Sequence, residues 1–176
     1  MPKFIQVNDL MQKDYTYKLV AKAGDISAMK NALSPKEMLE RGVFSGKYLN
    51  DCKKEFPKSW FKKAKVTGVD LPPDLNLNEF KIKSRLSLKE WKKRKWIFGD
   101  DPRGWFQWYC RYYRGRRDPI IDTKQIQRFW SFKRHAAQLH KAALKENRVG
   151  DPTFRPRQRQ ALLQWAWDPF IDKYYK

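Results

Sequence analysis

The stretch Asp101-Pro102-Arg103-Gly104-Trp105-Phe106-Gln107-Trp108-Tyr109-Cys110-Arg111-Tyr112-Tyr113-Arg114-Gly115-Arg116-Arg117 sets six aromatic rings and five arginines in one short run. Asp101 has the side chain of an N-cap, Pro102 suits the first helical position, and Gly115 stands where helices commonly stop. Wound at about 100° per residue, Arg103, Gln107, Arg111 and Arg114 fall in one narrow arc with Cys110 at its edge. Trp105, Phe106, Trp108, Tyr109, Tyr112 and Tyr113 fill the other side. The pattern predicts a helix anchored by its rings. Its other face presents guanidinium groups to a polyanion and leads into Arg116-Arg117.

Composition points to the same partner. The 176 residues suffice for one domain, with or without a small appendage. Hydrophobic residues make up 41%, with 8 Trp, which excludes a disordered polycation. The formal net charge is +20, a self-repulsion that makes sense if a polyanion uses it. The charge is also uneven: residues 81–134 hold 17 Lys and Arg against 5 Asp and Glu, together with five of the tryptophans. A defined basic surface is therefore expected. Cys52 and Cys110 are too few for a disulfide framework and suit a reducing interior. No apolar run approaches the roughly 20 residues of a membrane span, and no signal-peptide core opens the chain. A soluble, intracellular protein without a membrane partner is expected.

Outward from the central stretch, a mainly α fold is predicted: a compact helical domain with a small irregular or mixed N-terminal lobe. Phe4–Val7 and Tyr15–Val20 read as short strands or an irregular arm. Ser34-Pro35 with Glu37 predicts a capped short helix, and a second helix is expected over Lys47 to Glu55. Pro72-Pro73 within 67–74 marks a linker. Residues 1–66 then form the small lobe, 67–80 a linker or extended segment, and 81–176 the basic, aromatic-rich domain. Within the last, Ser87 caps a helix from Leu88 to Trp96. One long helix is expected from Asp122 to Lys145, with Gln125 in the capping-box position. A last helix starts at Pro156.

The candidate nucleic-acid-binding residues are Lys92, Lys93, Lys95, Arg103, Arg111, Arg114, Arg116, Arg117, Arg128, Arg134, His135, Arg155, Arg157 and Arg159. Arginine's planar fork suits bidentate phosphate contact and stacking. Arg155, Arg157 and Arg159 at a helix N-terminus oppose the macrodipole unless an anion or a local acid, Asp151 or Glu146, answers them. Trp105, Trp108, Tyr112 and Trp130 are expected in the core, while Trp91, Trp96 and Tyr113 are candidate stacking platforms. His135 and His140 diverge by about 140° on a helix, and no CxxC spacing joins Cys52 or Cys110 to them, so no metal is expected. There is no phosphate-binding glycine loop, nucleophile elbow or dinucleotide fingerprint, so no cofactor is expected either. Asp100, Asp101, Asp118 and Asp122 are the carboxylates nearest the arginines. They keep open a processing or repair enzyme, a glycosylase or nuclease, beside the leading expectation of phosphate-backbone binding with little base specificity. A structural module on an acidic partner is a third class. DNA and RNA are not distinguished.

Gly46 to Cys52, Glu55-Phe56-Pro57 with Trp60-Phe61, Asp101 through Arg117, Gln125-Ile126 with Arg128, and Arg155 through Leu163 form one set of stretches in this chain. The set resembles an uncharacterised protein family, scattered across cellular and viral genomes, that shares the DPRGWFQWYCRYY-x-GRR core and an RPRQRQALL segment. The similarity spans most of residues 42–167. It implies that the two lobes form one unit, and it implies no activity, cofactor or partner.

Overall fold

A computed structural model describes residues 3–174. The chain is mainly helical, with a two-stranded antiparallel hairpin, β1 (Lys3–Val7) and β2 (Tyr15–Leu19), as its sheet among the described residues. Ile5 lies opposite Tyr17 and Val7 opposite Tyr15. Alternation turns Val7 and Tyr17 into the molecule while Gln6, Thr16 and Lys18 face out.

Helix α1 (Pro35–Arg41) begins with the expected reciprocal cap: Ser34 Oγ accepts from the Glu37 amide and the Glu37 carboxylate accepts from the Ser34 amide. The helix predicted over 47–55 does not form. One 3-10 turn, Phe44–Gly46, precedes that stretch and another, Lys53–Glu55, closes it. Backbone at Phe44, Ser45 and Leu49 has positive φ, which a continuous helix cannot accommodate. Residues 67–80 are laced to this region. The Lys47 ammonium donates to the carbonyls of Gly68, Val69 and Leu71, and Ser45 N donates to Asn78 Oδ1 at 2.7 Å.

Helix α2 (Leu88–Lys93) is capped by Ser87 as read. Helix α3 (Trp105–Arg114) starts later than the expected Asp101 cap, after Gly104 at φ 87°. Gly104 lies beneath Trp91, whose ring would be 3.3 Å from any Cβ there. The Asp101 carboxylate is instead engaged by side chains of α3 and of the segment after it. Gly115 ends the helix in the left-handed conformation as read, and its carbonyl accepts from Val20 N and Ala21 N.

The expected helix 122–145 divides into α4 (Pro119–Ser131) and α5 (Lys133–Lys145). Asp118, not Asp122, is the cap, its Oδ1 accepting from the Ile120 and Ile121 amides. Asp122 receives the Trp108 indole N–H at 2.8 Å. At the division Ser131 Oγ donates back to the Arg128 carbonyl, the kind of bond that bends helices. Phe132 there stacks on Trp165, with centroids 4.7 Å apart. Helix α6 (Pro156–Gln164) follows, then a 3-10 turn at Ile171–Lys173.

The main core joins residues of both expected lobes, among them Met29, Met38, Phe44, Phe56 and Trp60 with Trp105, Phe106, Trp108, Tyr109 and Leu163. A smaller cluster holds Ala136, Leu139, Ala143, Phe154 and Leu162 between α5 and α6. Trp105, Trp108 and Tyr112 are buried as expected. Trp130 is 40% exposed instead, its indole N–H donating to the Ala28 carbonyl. No helix of the described residues is long and apolar enough to cross a membrane.

Candidate nucleic-acid interface

The arginine face of α3 points inward. Arg111 is fully buried and bidentate to Glu55, with Nε–Oε1 at 2.6 Å and Nη2–Oε2 at 3.0 Å. Its Nη1 also meets Asp101 at 3.1 Å, and the Tyr15 and Tyr17 rings of the hairpin lie over its plane. Arg116 takes the other Asp101 oxygen at 2.6 Å. Arg103, 5% exposed, is clamped by Asp51 at 2.9 Å and Asp9 at 3.2 Å. Burial works against the charge on Arg111 and Arg103, but Glu55 in the first case and Asp51 in the second outweigh it, and both pKa values are raised.

Arg103, Arg111 and Arg116 are therefore internal ties, a correction to their expected place on a phosphate-binding face. Arg159 needs the same correction. Fully buried, it donates to both Asp172 oxygens at 2.9 and 2.8 Å and to the Phe154 and Pro169 carbonyls. Its acid is Asp172, whereas Asp151 pairs with Arg148. Arg114 and Arg117 are half-buried and spent on backbone carbonyls: Arg114 on that of Glu55, Arg117 on those of Tyr112, Arg116 and Asp25. Sequence reading missed this network because Asp9, Asp51 and Glu55 lie far upstream of the guanidiniums they answer. A stretch rich in arginine looks the same whether its acids are absent or merely distant.

A different surface carries unanswered charge. A groove of about 730 Å³ runs between α2 with the segment after it, the α4–α5 junction and α6. Lys83, Arg85, Arg128, Arg134, Arg157 and His135 line it, together with Trp91, Trp96, Trp105, Phe132 and Trp165. No aspartate or glutamate lines it. Four of the expected binding residues (Arg128, Arg134, His135 and Arg157) thus meet, joined by Lys83 and Arg85, which sequence reading passed over. Their one signal was membership of the basic run that begins at Lys81. The exposed Lys92, Lys93 and Lys95 belong to the segment that supplies Trp91 and Trp96, while exposed Arg155 is outside the groove lining.

The five groove cations form no ion pair within the described residues. Arg128 donates to the Trp96 carbonyl and the Gln125 side chain at 3.0 Å each, and its plane lies 5.1 Å from the Trp165 ring. Arg85 is half-buried and makes no hydrogen bond with any described residue. Burial lowers the pKa of both. Burial, and then Arg134, also lower the pKa of His135, which favours the neutral imidazole. Arg85 and Arg128 are half-buried while Lys83, Arg134 and Arg157 are exposed, so the site is a cationic surface without counter-charge among the described residues.

Of the carboxylates near the arginines, Asp101, Asp118 and Asp122 are already engaged. A hollow of about 300 Å³ is edged by Asp100, Asp101, Asp118, Arg116 and Arg117. There Asp101 holds two guanidiniums and Asp118 caps α4. Asp9, Cys52 and Glu55 bring one ligand atom each within 4.8 Å of one another. Both acids already pair with Arg103 or Arg111, and burial pushes the Cys52 thiol up, away from the thiolate that binds metals. The chain matches no family model, no curated protein and no solved structure.

Proposed function

We propose that the protein binds nucleic acid by its phosphates in the groove between α2, the α4–α5 junction and α6, with little base specificity. One observation carries this reading: five lysines and arginines converge on a surface that no carboxylate lines. Solvated faces ordinarily mix both signs, and a cluster of one sign is stabilised by an anion. The excess of +20 supplies the long-range attraction, and Lys92, Lys93 and Lys95 extend the track. Phosphate contacts fix position and carry no sequence information, which accounts for the weak base preference.

The test is the salt dependence of binding to labelled DNA and RNA, single- and double-stranded. Arg134→Ala with Arg157→Ala alters two exposed side chains and leaves the fold intact. The pair is expected to reduce the slope of log K against log salt by about 2, roughly one per phosphate contact. An unchanged slope, or equal binding of heparin and an acidic peptide by parent and variant, overturns the assignment.

A further inference from the structure

We propose that the groove receives an unpaired base, stacked on Trp96 with its phosphate on Arg85, so that the protein selects single-stranded over duplex nucleic acid. This rests on the nucleic-acid reading above and names the form of its ligand.

The rings of the groove are not equivalent. Trp165 is covered by Phe132 at 4.7 Å and by the Arg128 guanidinium, and Trp105 is buried against Tyr109 and Trp165. These form a floor. Trp96 is 40% exposed, and its ring contact is the Arg94 guanidinium at 5.2 Å. Arg94 is itself anchored to Glu90 at 2.9 Å. A cation on a tryptophan face leaves the rest of the ring open to a second flat group.

Duplex nucleic acid cannot use such a ring, because each base face is covered by its neighbours and only edges and phosphates are presented. An unpaired base offers its face, and stacking on an aromatic side chain is tolerant of sequence. The volume of about 730 Å³ lies in the range, ~300–1,000 Å³, of clefts that hold a small organic ligand.

Arg85 supplies the second observation. A half-buried guanidinium without a hydrogen bond or acid among the described residues is partly desolvated, and its bonding is left to solvent. A phosphate in the groove offers the missing charge-assisted bonds. Removing Arg85 should therefore weaken binding without lowering the melting temperature, whereas a structural arginine behaves the other way.

The experiment compares four ligands of matched length at one salt concentration: a single strand, the same strand with abasic sites, the duplex, and heparin. The parent is expected to favour the intact single strand. Trp96→Ala should weaken that ligand roughly 5- to 150-fold, the span of one base–aromatic stack. It should leave the abasic strand almost unchanged, and Trp96→Phe should restore most of the loss. Arg85→Ala should weaken both strands while the melting temperature holds or rises. Duplex binding equal to single-strand binding, or equal loss on the abasic and intact strands, overturns the stacking proposal. In that outcome salt-dependent binding lost in the Arg134/Arg157 variant leaves phosphate binding standing, whereas no salt-dependent binding to any strand removes both.

Discussion

Arg111 and Arg85 belong to the same residue type and have opposite situations. Arg111 has no solvent contact and four hydrogen-bond partners besides two rings over its plane: Glu55, Asp101, the Asp100 carbonyl and the Gln12 side chain. Removing one side of such a pair leaves an unpaired buried charge. Arg111→Ala and Glu55→Gln are each expected to lower the unfolding free energy by about 3–5 kcal/mol in urea titrations. The double change should cost less than the sum, because neither charge is then orphaned. The sequence made the crowding of arginine at 103–117 plain, and Arg128, Arg134, His135 and Arg157, four of its candidates, line the groove. It was silent on direction. Arg111 and Arg114 do share a face of α3, while Arg103 precedes the helix, and whether these guanidiniums face water or buried acid depends on Asp9, Asp51 and Glu55, which only the tertiary fold brings near.

Among the elements, those with a local chemical signal were legible. The Ser34–Glu37 box, the Ser87 cap, the Gly115 stop and the Pro156 start all stand where their side chains dictate. Elements fixed by contacts from afar were not: the Phe132 division of α4 from α5 follows Trp165, and the late start of α3 follows Trp91 over Gly104. Gly115 shows how tightly these joints are drawn. Its φ is +111°, and a Cβ would lie 2.1 Å from the Ala21 carbonyl oxygen. Gly115→Ala must therefore both strain the backbone and displace the strand exit, at a cost of at least about 1–3 kcal/mol. A calorimetric melting temperature that does not move would refute this tie between hairpin and helix.

Across the whole molecule, the paired acids set the response to pH. Burial opposes ionisation of Asp9 and Asp172, but hydrogen bonds from Arg103 and Arg159 outweigh it, so both pKa values lie below the ordinary 3.8. Bonds from Thr153, then Arg148, bring Asp151 to about 2. A carboxyl whose folded pKa is depressed stabilises the fold above its unfolded pKa, and this contribution is lost as pH falls through the folded value. Asp122, raised by burial, acts in the opposite sense. Three depressed groups against one predict a net loss of stability below about pH 4. Urea midpoints at pH 7, 4 and 3 should fall in that order, and Asp172→Asn should make the decline shallower.

Mobile ions reach only one of the molecule's two sets of charges. The Arg111–Glu55 and Arg159–Asp172 ties lie inside the protein, where dissolved salt screens little. The groove guanidiniums face an opening that counterions enter freely. If the groove holds a strand as proposed, brine strong enough to strip it should leave the scaffold as firm as before, and release and denaturation would answer to separate controls.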